Sequence, residues 1–136
     1  MLYRYTLDTP AEDFCPITAQ VQGAVAESGV QDGICLVYCP HTTAGITINE
    51  NADPDVRTDM ESIFNHLIKE REPYYEHTLE GWDDMPAHAK ATIIGVSLTI
   101  PITEGRLNMG IWQGIYLCEF RNHGGGRKIV ATVMGE

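Results

Sequence analysis

The sequence predicts a single α+β domain spanning residues 1–136. Three observations lead there. Two segments repeat apolar residues at helical spacing, several shorter ones alternate or run in β-forming residues, and glycine or proline punctuates most of the junctions. At 136 residues and 43% hydrophobic content the chain can build one real core and is too short for two.

Residues 2–7 read as a strand. Between residues 17 and 28, Ile17, Val21, Ala24 and Val25 recur at helical spacing, and Gly29 follows where a left-handed helix terminator belongs. Residues 34–39 form a continuous β-forming run too short for most helices, which predicts a strand buried on both faces, ended by Pro40. In residues 44–48, Ile46 and Ile48 share one face and Thr47 takes the other, as in a half-buried strand, so His41 lies at a corner between strands. Asp53 as cap, Pro54 at the first helical position and the stripe Val56, Met60, Ile63, Phe64 and Leu67 predict a second helix running to about Lys69.

Residues 70–86 carry neither period and contain Pro73, Gly81 and Pro86, so a long loop is expected, a kind of segment that often carries function. A short helix over 87–94 and a strand over 96–100, ending at Pro101, come next. Glu104 and Gly105 mark a turn. Residues 111–120 and 129–134 read as strands, expected to pair as an antiparallel hairpin across Gly124, Gly125 and Gly126.

The 19 acidic against 9 basic residues give a formal charge of −10, which repels a phosphate backbone and argues against nucleic acid as partner. No signal-peptide core opens the chain and no membrane-length apolar run follows, so a cytoplasmic protein without a membrane partner is expected. Cys15, Cys35, Cys39 and Cys118 lack the paired spacing of zinc knuckles or redox motifs and are expected to fill the core as free thiols.

The chemistry points to histidine. His41, His77 and His88 sit among small and acidic residues, and no serine or cysteine nucleophile motif competes with them. Three imidazoles around an open position would hold a divalent metal, or share acid and base work, with carboxylates fixing their tautomers. Glu50, Asp83, Asp84 and Glu119 are candidates for that second role. Spacing alone does not force convergence: His77 and His88 lack the i, i+4 relation of a helical metal motif, and a single histidine is more often an ordinary surface or hydrogen-bonded residue. His66 and His123 read as such residues.

Other groups keep two readings. Glu50 can orient a ligand or act as a general base, whereas Asp53 is better explained as a helix cap. Asp83 and Asp84 suit a magnesium-bearing phosphate substrate or a solvated loop, and Trp82 can stack on a substrate ring or anchor that loop. The segment from Arg121 to Lys128, with Arg127, combines cations with glycine amides as anion sites do, although a hairpin turn needs the glycines anyway. Gln113 and Glu119 share parity in an apolar strand, marking one face as a cavity wall or subunit interface.

Taken together, His41-Thr42-Thr43-Ala44, Asn49-Glu50-Asn51-Ala52-Asp53-Pro54, Asp83-Asp84-Met85-Pro86-Ala87-His88, Gly105-Arg106, Trp112-Gln113-Gly114-Ile115 and the closing Gly135-Glu136 resemble the YjbQ family over nearly the whole chain. The resemblance implies an α+β fold with a β-sandwich core, two main helices and one short helix, and a homotrimeric assembly. It also implies a weak thiamine-phosphate synthase activity, joining a pyrimidine pyrophosphate to a thiazole phosphate. The family pattern carries His41, His77 and His88, here assigned as metal ligands (zinc or magnesium) and catalytic groups, together with Glu50, Asp83 and Asp84. It carries Arg127, Gln113 and Glu119 as well, assigned to binding a small phosphorylated metabolite. Ile111 stands where members usually have threonine, and Ala91-Thr92 where paired serines are common. Two rival functions accompany the enzyme: a non-catalytic trimeric binder of metal or phosphate ligands, and a metal-dependent hydrolase.

Overall fold

A computed structural model describes residues 2–9 and 13–136. The strands are β1 (Leu2–Thr9), β2 (Asp13–Pro16), β3 (Gly33–Tyr38), β4 (Ala44–Glu50), β5 (Ser97–Thr103), β6 (Arg106–Leu107), β7 (Gln113–Glu119) and β8 (Gly125–Gly135). The helices are α1 (Thr18–Ser28), α2 (Pro54–Leu67) and α3 (Asp84–Ile94). One antiparallel sheet has the order β1-β8-β3-β5-β6 and the other β2-β7-β4.

The three-stranded sheet is the middle layer, because both its faces are apolar. Ile115 and Leu117 of β7 pack with Cys35, Val37, Ile129 and Ala131 of the larger sheet and with Val21, Ala24 and Val25 of α1. The alternate residues Tyr116 and Cys118 join Phe14, Phe64, Ala87, Ala91 and Phe120 beneath α2 and α3. Ring centroids of Phe14, Phe64, Tyr116 and Phe120 lie 6.0 to 6.5 Å apart, within the range where tilted aromatic pairs attract.

The helix ends follow their sequence signals. Gly29 closes α1 at φ 74°, and the Asp53 carboxylate caps α2 by accepting from the Asp55 N–H, with Pro54 next to it. The α2 stripe, however, exceeds what the fold covers: Phe64 is buried, while Ile63 and Leu67 are 48% and 74% exposed.

Four expectations change. β3 is buried on one face only, with Ile34 and Tyr38 turned outward, because the larger sheet has its sandwich partner on a single side. β7 and β8 do not form a hairpin: the glycine turn carries the chain from one sheet to the other. β5 continues through Pro101, whose carbonyl accepts from the Asn108 N–H. Its missing N–H thus faces the two-residue edge strand, where a proline costs little. α3 starts at Asp84, three residues before the expected position. Pro86 falls in its first turn, where backbone N–H groups have no helical acceptor and a proline fits.

Candidate metal centre

That early start builds the site. With Asp84 in the first turn of α3, His88 lies one turn later on the same helical face, and the loop returns His77 to the same point. Asp84 Oδ2 sits 2.5 Å from His77 Nε2 and 3.1 Å from His88 Nε2, and the two rings are T-shaped with centroids 5.2 Å apart. The three candidate ligand atoms lie within 4.8 Å of one another.

Arg121 aims this carboxylate. Its Nη1 stands 2.7 Å from Asp84 Oδ1, which leaves Oδ2 for the imidazoles. Its Nε donates to Asp83 Oδ2 at 3.0 Å and its Nη2 to the Glu80 carbonyl at 2.9 Å. Burial works against the ionised Asp83, but hydrogen bonds from Arg121 and the Asn122 N–H outweigh it and hold the carboxyl below its ordinary range. Asp83 therefore positions Arg121, and Arg121 positions Asp84. Arg121 had no separate role in the sequence reading; its only signal was membership of the basic run near the triple glycine.

Two imidazole nitrogens and one carboxylate oxygen form a donor set suited to zinc and related transition ions, with at least one position left for solvent or substrate. Magnesium prefers oxygen ligands and fits less well. Tetrahedral bonds of about 2.0 Å imply ligand-to-ligand edges of about 3.3 Å. The separation of His88 and Asp84 is close to that already, and the pair of His77 and Asp84 would open by under about 1 Å. Asp83, Asp84 and Arg121 sum to one negative charge, a sign that favours a cation.

His41 stands outside this group of three but close to it. It shares a surface depression with His88, lined also by Thr42 and Thr92. The backbone N–H of Lys128 donates to His41 Nε2 at 2.8 Å, so the ring proton resides on Nδ1. Partial burial, reinforced by the Arg127 charge, lowers its pKa and keeps the ring neutral.

The remaining candidates lie elsewhere. Glu50 accepts from the Ala52 N–H in the turn before α2. Gln113 is exposed and accepts from the Gly110 N–H, whereas Glu119 is fully buried, so their common parity marks no shared cavity wall. Glu119 Oε1 and Oε2 receive Arg127 Nε and Nη2 at 2.7 and 2.6 Å, and Nη2 also donates to Thr43 Oγ1 at 2.8 Å. Arg127 is thus engaged between the sheets. The four cysteines are free thiols, and burial pushes Cys15 and Cys35 up to about 11, away from the thiolate a metal would need.

Fold and site together define a small α+β domain with a two-sheet core and a histidine and aspartate cluster at one helix start. The chain matches the family described as UPF0047 protein YjbQ-like over residues 3–136, and it belongs to that family. It is 42% identical over 132 residues to the UPF0047 protein YjbQ of Escherichia coli O157:H7, covering 96% of this chain and 95% of that one. It is 50% identical over 107 residues to the Salmonella typhimurium protein of the same name, covering 79% and 77%. A crystal structure of an uncharacterized YjbQ/UPF0047 protein from Clostridium acetobutylicum superposes with a TM-score of 0.89 at 46% identity, covering 97% of this chain and 99% of the other. A hypothetical protein from Aeropyrum pernix gives 0.90 at 32% identity, covering 100% and 99%. Among the described residues no helix is long and apolar enough to cross a membrane.

Proposed function

We propose that His77, Asp84 and His88 bind a divalent transition ion, zinc by preference, and that the chain is a cytoplasmic enzyme acting on small phosphorylated metabolites. The observation that carries this reading is the convergence of two Nε2 atoms on one Asp84 oxygen whose partner oxygen is held by Arg121. When bound, the ion would supply Lewis acidity toward a phosphoryl oxygen. The protein's own part is to hold Oδ2 and both imidazoles in place, an arrangement that requires no rearrangement of charge during the reaction.

Thiamine-phosphate synthase activity fits as one outcome. There the thiazole nitrogen attacks a pyrimidine methylene, the carbon–oxygen bond breaks, and pyrophosphate departs with the electron pair, so stabilising departing negative charge is the main task. His41, neutral with its proton on Nδ1, is a hydrogen-bond donor beside His88 for a ligand in their common depression. A homotrimer forms part of the proposal, and the exposed Leu67 and Ile93, which line one largely apolar depression, are residues such an assembly would cover.

The test pairs elemental analysis of untagged protein with an assay for pyrophosphate release from the pyrimidine and thiazole substrates. About one zinc per chain and turnover that both disappear in His88→Ala support the enzyme. Metal without turnover leaves the non-catalytic binder, and pyrophosphate release that needs no thiazole identifies the hydrolase. Wild-type turnover in His88→Ala would overturn the proposal.

A further inference from the structure

Resting on the metal reading above, we propose that Arg71 is the anion-recognition residue of the same site, and that the pocket it shares with His77 receives the diphosphate end of a substrate. Arg127, expected at the phosphate, is committed to Glu119, and Arg121 is committed to Asp83 and Asp84. Arg71 pairs with no carboxylate among the described residues. Its guanidinium carbon lies over the Trp82 ring, 4.8 Å from the centroid, a cation–π contact that leaves its N–H groups available to donate.

Arg71 and Trp82 line a pocket of about 250 Å³ together with Thr78, Met85 and the metal-site residue His77. That volume suits a diphosphate group rather than a whole metabolite. The backbone at Arg71 has φ 59°, a left-handed conformation uncommon outside glycine and asparagine, and such outliers concentrate at ligand clamps. Glu72 lines the same pocket, so Arg71 alone would hold an anion weakly and the ion's charge would strengthen that hold. Guanidinium on one side and cation on the other would hold the two phosphoryl groups of one ligand.

The experiment titrates inorganic pyrophosphate into zinc-loaded protein carrying Trp112→Phe, which leaves Trp82 as the sole tryptophan reporter. Saturable Trp82 quenching is expected, with Kd raised at least tenfold by Arg71→Gln and partly restored by Arg71→Lys, at unchanged zinc content and unchanged Tm. Inorganic phosphate should bind more weakly, lacking the second group. If no zinc binds, the metal reading fails, and Arg71 is then judged on the metal-free protein, where Arg71→Gln should still weaken pyrophosphate binding. Equal pyrophosphate affinity with and without Arg71, or no pyrophosphate response in the parent, would overturn the assignment.

Discussion

Replacing Arg127 with methionine should unfold the molecule far more readily than it disturbs any ligand. Glu119 is fully buried, and Arg127 supplies two charge-assisted hydrogen bonds to it while also reaching Thr43. Removing the guanidinium takes the Arg127 charge away from a fully buried carboxylate that keeps the Arg121 N–H at 3.1 Å, and breaking comparable buried pairs costs about 3–5 kcal/mol. For a chain of this length that corresponds to a fall in Tm of roughly 10–20 °C. Space around the carboxylate is tight as well, since even a Cβ on Gly124 would overlap it. The double variant Arg127→Met with Glu119→Leu should recover most of the loss, because an apolar pair of similar size removes the stranded charge. Urea unfolding of the parent, both single variants and the double variant measures all four corners. A single Arg127→Met variant within about 1 kcal/mol of the parent, or a double variant no better than either single one, would refute the reasoning and return Arg127 to the list of phosphate contacts.

Two further outcomes follow from the site. Arg121→Gln should weaken zinc affinity by about 10–100-fold, the usual effect of losing a group that orients a ligand, and competition with a chromophoric chelator reads it; an unchanged Kd would show that Asp84 needs no such support. His41 has a folded pKa below its ordinary 6.5, so the fold favours its neutral form. That contribution is complete above pH 6.5 and is lost as pH falls through the lower folded value. The stability advantage of the parent over His41→Gln should therefore be constant above about pH 6.5 and shrink below it, whereas a gap widening in acid would contradict the Lys128 hydrogen bond as drawn.

Much of the architecture was legible in the sequence because periodicity and caps are local signals. Gly29, Asp53 and Pro54 marked their helix ends correctly, the β4 segment announced itself by alternation, and residues 129–134 read as a strand, which lies within β8. What failed was non-local. Which strand pairs with β7 depends on the path of the chain after the glycines, and a continuous apolar run such as β3 cannot reveal that its sheet has only one partner layer. Pro86 looked like a helix breaker because its tolerance depends on its place in the first turn, and this error hid the i, i+4 relation of Asp84 and His88. His77 was found only as a residue type. Its arrival at Asp84 rests on a loop ordered by Arg121, a long-range contact that no spacing in the sequence discloses.

Zinc K-edge X-ray absorption on the zinc-loaded protein tests the centre most directly. Two imidazole nitrogens and a carboxylate oxygen are expected at about 2.0–2.2 Å, with imidazole scattering lost stepwise in His77→Ala and His88→Ala. A shell of water oxygens alone, or a sulfur contribution near ~2.3 Å, would contradict it.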